Sequence, residues 1–271
     1  MKEKQLPNFK NPPVTETVLG VQFDPIEKLS APVYGLYYSK IRDEYPDFEV
    51  HPPLSQAVER FDEKLGIVPP TINLDIRKTP DVRCWFLEKE GNRLLQAQKD
   101  RFIQNWRKVK EDDVYPRYES LKPIFKREWL RFCDFLKEEG LSSPEVNQCE
   151  VTYINHLEIG KGWRTFGEID KITKYWSRES GEFLPVAERG SINLRYQIPE
   201  RLGRLYINLK PAIRKIDAKE IFQVELTARD APSSSKVEDI MGWLDLGREW
   251  VVKGFADFTT NELHQIWEEK I

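Results

Sequence analysis

The 271-residue chain sets 42 Lys and Arg against 45 Asp and Glu, and a net charge of -3 excludes a global pull on a phosphate backbone. With 39% hydrophobic and 32% charged residues it has the balance of a folded soluble chain, not a disordered one, and the length suffices for a real core. No apolar run approaches a membrane span and residues 1–10 lack the apolar core of a secretory signal, so a cytoplasmic address with no membrane partner is expected. Cys84, Cys133 and Cys149 are scattered and odd in number, and are expected to pack as small buried thiols.

Pro12 and Pro13 give an extended entry to a strand over 14–23, where Thr15, Thr17, Leu19, Val21 and Phe23 share a core-facing side and Glu16, Val18, Gly20 and Gln22 the other. Ser30 is placed to cap a helix with Pro32 in its first turn and Val33, Leu36, Tyr37 and Ile41 at helical spacing; Pro46 ends it. Residues 48–70 contain two Pro-Pro pairs and predict an irregular excursion with a short helix over 55–65. Strands are predicted over 71–77, 83–89 and 93–99 as a meander, the last two joined by a tight turn at Glu90-Gly91-Asn92. A helix over 118–138 follows from the stripe Leu121, Ile124, Phe125, Trp129, Phe132, Cys133 and Leu136, with Gly140 as its stop.

The second half opens with a strand over 149–158. Thr165 and Glu168 are spaced as a capping box for a helix over 163–176 bearing Phe166, Ile169, Ile172 and Tyr175 on one side. Strands over 190–198, 204–209 and 221–229 come next, then a helix after Ser235 through Val237, Ile240, Met241, Leu244, Val251 and Phe255, and a short helix begun by Thr259 and Glu262. Each half thus reads strand, helix, three strands, helix. Thr71-Ile72-Asn73-Leu74 and Ser191-Ile192-Asn193-Leu194 sit at matching places in this order. The predicted fold is α+β: two similar β-α-β-β-β-α halves, 1–140 and 141–271, with a mainly antiparallel sheet and helices packed on one face, an internal duplication that leaves a long polar sheet surface.

Several stretches resemble a sporadically distributed family of uncharacterised bacterial proteins of about this length: Asn11 to Glu16, Leu95 to Arg107, Tyr115-Pro116-Arg117-Tyr118, Asn147 to His156, and the tail from Phe255 to Trp267. The similarity spans most of the chain but brings no catalytic residue and no cofactor with it. Lys99 stands where the family often has proline, which loosens one turn without altering the expected fold.

No catalytic, cofactor or metal motif stands out. There is no GxSxG, phosphate-binding loop or dinucleotide fingerprint, and His51, His156 and His264 are too dispersed for a local metal site. The candidate binding surface is the outward side of the sheet, where Asp75, Arg77, Glu150, His156, Arg195, Glu225 and Arg229 alternate with core positions and Glu16 joins them from the opening strand. Glu16 and Glu150 are expected in equivalent strands, where they serve acid and base chemistry only if their environments split their pKa values; the simpler expectation is that each pairs with an arginine. Arg101, Arg107 and Lys108, interleaved with Phe102 and Trp106, make the best nucleic-acid candidate, provided the rings are exposed beside the cations; Glu111-Asp112-Asp113 weakens that field. Trp243, Trp250, Trp267, Phe255 and Phe258 load the C-terminal helices with apolar surface, for which a homodimer or fixed protein partner is the natural outlet. The leading expectation is a non-enzymatic binding protein that engages a protein or small ligand through the polar sheet face or the C-terminal helices. A hydrolase with sheet-borne carboxylates and a nucleic-acid binder are the alternatives.

Overall fold

The alternation of Thr17, Leu19, Val21 and Phe23 with Glu16, Val18, Gly20 and Gln22 builds a ten-residue strand at the centre of the molecule. The structure, a computed structural model, describes residues 6–57, 59, 61, 81–177 and 183–270. Its elements in chain order are β1 (Asn8–Phe9), β2 (Val14–Phe23), α1 (Ala31–Ile41), β3 (Asp47–His51), β4 (Arg83–Leu87), β5 (Arg93–Gln98), β6 (Arg101–Arg107), α2 (Tyr118–Glu138), β7 (Val146–Glu158), β8 (Ile192–Gln197), β9 (Arg204–Ile213), β10 (Glu220–Asp230), α3 (Val237–Phe258), α4 (Asn261–Ile266) and β11 (Glu269–Lys270).

The fold is α+β, with a mainly antiparallel sheet. Nine strands lie in the order β3-β4-β5-β6-β2-β7-β10-β9-β8, and β1 pairs with β11 in a small separate ribbon. Strands β4, β5 and β6 step inward to β2, β8, β9 and β10 step inward to β7, and β2 pairs with β7 to make the sheet continuous; α1 and edge strand β3 have no counterpart among the described residues of the second series, so the expected internal duplication is not shown. Gly91, at φ +72, supplies the left-handed turn between β4 and β5 that the sequence predicts.

Helices α1, α2 and α3 cover one face. Leu121, Phe125, Trp129, Phe132 and Leu136 are buried on α2 as their spacing predicts, and Gly140 at φ +67 ends the helix. The Phe132 ring lies 4.9 Å from Phe102 of β6 and 5.3 Å from Tyr37 of α1, which knits three elements into one aromatic cluster. On α1 the buried residues are Tyr34, Tyr37 and Ile41, whereas Leu36, expected inside, is exposed. Glu128 is fully buried, accepting hydrogen bonds from Arg127 and Arg131, which also pair with Glu44.

Four expectations need correction. Residues 163–176 form no α-helix, only a 3-10 turn at Ile169–Lys171, because Trp163 and Phe166 pack on Phe222 at 4.7 and 5.3 Å while Thr173 bridges to Thr259. The Thr165 and Glu168 pair caps a loop instead, with the Glu168 carboxylate accepting the Arg164 N–H at 2.6 Å. Residues 47–51, expected irregular, are edge strand β3, and residues 101–107, not expected as a strand, are β6, the neighbour of β2. Residues 55–57, 59 and 61 are not helical; the rest of the predicted helix lies outside the described residues, as do Thr71 to Leu74 and the strand carrying Asp75 and Arg77.

The C-terminal apolar surplus is absorbed within the chain: Trp243, Phe255, Phe258 and Trp267 are buried and Trp250 packs against the core. Trp250 stays partly buried, beside Gly254, Leu205 and Ile207 in a groove along α3. No described helix is long and apolar enough to cross a membrane.

Candidate functional site

Residues paired across antiparallel strands point to the same side, so the register writes out the helix-free face row by row. One row runs Glu49, Trp85, Gln96, Ile103, Gly20, Glu150, Arg229, Arg204, Gln197. The next runs Asp47, Leu87, Leu94, Asn105, Val18, Thr152, Thr227, Tyr206, Arg195. A third carries Arg107, Glu16, Ile154, Glu225, Asn208 and Asn193, and a fourth Gln98, Arg101, Gln22 and Gln148.

Glu16, Glu150, Glu225, Arg229 and Arg195 thus meet on one face, with His156 toward its far end, opposite Gln223. Arg101 and Arg107 join them, because β6 turns its odd-numbered residues this way. The same alternation turns Phe102 and Trp106 to the helix side, where they are 0% and 5% exposed, so neither ring stands beside the cations for base stacking. Lys108 lies beyond the strand, exposed, and its N–H is donated to the Thr15 carbonyl. Glu16 and Glu150 do not face each other: Glu16 is opposite Ile154 and Glu150 opposite Gly20. Four positions along a strand at about 3.3 Å each hold them about 13 Å apart. The carboxylate that Glu16 senses is Glu225, two strands away across Ile154.

Much of this face is not solvated. Gln22, Gln96, Gln98, Asn105, Gln148, Thr152 and Thr227 are all buried, on the side that none of the described helices covers. Their groups are bonded in chains across the strands. Arg83 donates to the Gln96 carbonyl oxygen at 3.0 Å, the Gln96 amide donates to Asn105 at 2.7 Å, and Asn105 donates to the Glu16 carboxylate at 2.6 Å. A cation on β4 is thereby linked to an anion on β2 through two amides, each fixed in its flip orientation by its neighbours. In a second chain Arg229 pairs with Glu150 at 2.6 Å, Glu150 also accepts from the Thr152 hydroxyl at 3.1 Å, and Thr152 meets Thr227 at 2.8 Å. The expected glutamate–arginine pairing holds for Glu150; Glu16 is held by Asn105, with Arg107 nearby.

Burial raises the Glu16 pKa above the ordinary carboxylate value, opposed by the Asn105 bond and the Arg107 charge and reinforced by Glu225. Burial lowers the pKa of Arg83 and Arg101, and each cation presses on this end of the face: Arg83 feels Arg101, and Arg101 feels Arg229. Arg101 donates only to neutral acceptors, the Gln22 side chain at 2.6 Å and the Ser55 carbonyl at 3.0 Å. Its buried Nε, like that of Arg83, has no acceptor among the described residues. Trp85 lies between the Arg83 and Arg107 guanidiniums at 5.4 and 5.8 Å, with the His51 ring 4.1 Å away.

Pro52 and Pro53 lack the N–H groups that would extend β3, and the chain leaves the sheet edge there to lie across this face. Gln98 grips the backbone of Leu54 at both ends, accepting its N–H and donating to its carbonyl, each at 2.9 Å. Gln22 accepts the Ala57 N–H at 3.0 Å. Farther across, the Glu59 carboxylate accepts from Arg204 at 2.5 Å and Tyr206 at 2.7 Å, and Arg204 also lies 4.4 Å over the Phe61 ring. His156 stands apart, its pKa lowered to about 4 by burial and by Arg214, which is itself paired with Glu158 at 2.7 Å.

Asp75 and Arg77 lie outside the described residues. Arg83, Gln96, Asn105, Arg204, Tyr206 and Glu59 escaped the sequence reading; the alternation of 93–98 carried the signal for Gln96, and that of 101–107 would have given Asn105 had the two-residue turn at Lys99-Asp100 been recognised. No group of three or more described His, Cys, Asp or Glu residues is arranged to hold a metal ion. Comparison of the chain with protein-family models, curated proteins and solved structures finds no match.

Proposed function

We propose that this chain is a binding protein whose helix-free sheet face receives an extended, acidic polypeptide segment of a protein partner. The observation behind this reading is the chain's own segment 52–61, whose backbone is held by Gln98, Gln22 and Arg101 and whose Glu59 carboxylate is seated on Arg204 and Tyr206. Side-chain amides that read backbone, next to guanidiniums that read carboxylate, are the recognition groups an extended acidic peptide needs. Arg83 and Arg101 retain buried N–H groups for further carboxylates.

Fluorescence anisotropy with labelled decapeptides tests the proposal, using one alternating Glu and Ala and one alternating Lys and Ala. The acidic peptide should bind, weaken with salt, and lose about tenfold or more in affinity with Arg101→Ala, the worth of one charge-assisted contact. Equal binding of both peptides, or an unchanged affinity in the variant, rejects it. A cytoplasmic setting belongs to the same proposal and is consistent with three free cysteines.

The hydrolase alternative rests on Glu16, whose raised pKa beside Glu225 provides a carboxyl able to hold a proton. Turnover of an ester or glycoside panel that disappears with Glu16→Gln would favour it over the binding role.

A further inference from the structure

Helix α2 packs on β6 and α3 on β7, β9 and β10, and between the two helices the start of β2 and residues Tyr153 and Asn155 of β7 border a gap on the helix side. Tyr115-Pro116-Arg117-Tyr118, the stretch that enters α2, and the leader around Phe9 border this gap, which leaves a cleft of about 470 Å³. Arg117 sets the entry: it holds φ +67 just before α2 and donates to the Phe9 and Lys10 carbonyls at 2.8 and 3.1 Å, pinning the leader as one wall.

Polar groups converge in this cleft. The Tyr115 hydroxyl donates to the Tyr153 hydroxyl at 2.8 Å, and a pair of hydroxyls that shares one bond leaves the acceptor's own O–H to be donated elsewhere. Arg248 of α3 donates through one terminal nitrogen to Glu119 at 2.8 Å and lies 5.2 Å over the Tyr118 ring, yet its buried Nε has no acceptor. It also hydrogen-bonds the Tyr153 hydroxyl, and its charge acts on both Tyr115 and Tyr153, while burial keeps both phenols protonated. Phe9, Val14, Val251 and Phe255 supply apolar wall.

We propose that this cleft is a second ligand site, separate from the polar sheet face, and that it takes a small carboxylic acid with an apolar body. The Arg248 Nε, which has no acceptor among the described residues, and the adjoining Tyr153 hydroxyl suit the two oxygens of one carboxylate. Glu119 already offsets part of the guanidinium charge, which selects a monoanion over a phosphate dianion. The volume lies in the range of small-molecule sites, and the walls match an alkyl or aryl body.

Isothermal titration of octanoate into the full chain, with octanol as the neutral counterpart, tests the site. Octanoate should bind at least tenfold more tightly than octanol, and Arg248→Gln and Tyr153→Phe should each reduce octanoate affinity about fivefold or more, narrowing its margin over octanol. Equal affinity for acid and alcohol, tighter binding of octyl phosphate, or no binding of octanoate overturns the proposal. Should a variant fail to fold, carboxyl-labelled octanoate supplies the measurement on the unaltered protein. Its bound 13C resonance should titrate below the free acid, and a bound carboxyl titrating at or above the free value overturns the assignment. Octanoate binding without acidic-peptide binding supports this site and rejects the sheet-face reading, whereas acidic-peptide binding without octanoate binding overturns this site and leaves the sheet-face reading standing.

Discussion

Replacing Asn105 by Ala should break the chain of bonds from Arg83 to Glu16 at its centre. Asn105 is 4% exposed and Gln96 6%, so water does not replace the lost partner easily. The Gln96 amide loses its acceptor at 2.7 Å, a buried unsatisfied group costing about 1–3 kcal/mol, and Glu16 loses a charge-assisted donor at 2.6 Å, worth about 1.5–3 kcal/mol. Together these give about 3–5 kcal/mol, or a fall of about 1–1.7 M in the urea midpoint with a slope of about 3 kcal/mol per molar. The loss should also depend on pH. Because burial raises the folded-state pKa of Glu16, the folded chain holds that proton more readily than the unfolded one, and stability declines as pH climbs from the ordinary carboxylate value through the raised one. The Asn105 bond opposes this shift, so its removal widens the window and the penalty should be larger at pH 7 than in acid, where Glu16 is neutral in both states. Urea unfolding followed by tryptophan fluorescence at both pH values is the assay. A penalty below about 1 kcal/mol, or one equal at both pH values, would refute the role given to the oriented amides.

Phe132→Ala should cost about 3–5 kcal/mol in the same assay, since the ring is fully buried between Phe102 and Tyr37; a loss under about 1.5 kcal/mol would mean the site collapses around the gap. The His156 ring should titrate near 4 by NMR, because burial and then Arg214 disfavour its cation, and a midpoint near 6 would contradict its placement. With its unfolded value at about 6.5, the unfolded chain binds more protons in between, so His156 should contribute to a loss of stability as pH falls from about 6.5 toward 4. The thiols of Cys84 and Cys133 are pushed up to about 12 by burial and that of Cys149 is also raised, so a disulfide reagent should label none in the native protein and all of them in denaturant. Rapid labelling of Cys84 in native buffer would be inconsistent with its 1% exposure.

The elements best read from sequence are those whose local pattern and tertiary setting agree. Residues 118–138 show a broad apolar stripe and a stopping glycine, and α2 spans those residues; the two sides of 14–23 separate into core and polar positions as the alternation requires. Where tertiary contacts outweigh local spacing, the sequence misleads: Trp163 and Phe166 sit three apart as on a helix, but both are drawn onto Phe222. Strand β6 was hidden by its own composition, since Arg101, Phe102, Trp106 and Arg107 suggest a stacking surface before they suggest alternation. Most of the predicted site residues do share one face, but the partnerships did not follow from sequence. Pairing Glu16 with Asn105 and Glu150 with Arg229 depends on register, which a one-residue slip would reverse. The span of segment 52–61 across the face leaves no periodic trace at all.

Among the described residues, strands β2 and β7 form the seam between the two series of strands in this sheet, and they run beside each other for most of their ten and thirteen residues. A backbone break between Gly140 and Pro144 would leave each fragment with a long raw margin, its amides unmatched and its apolar side bare. Neither piece should stay folded in isolation, yet each presents the template the other lacks. Co-expressed fragments should reassemble along that margin, which would suit the molecule to use as a split reporter.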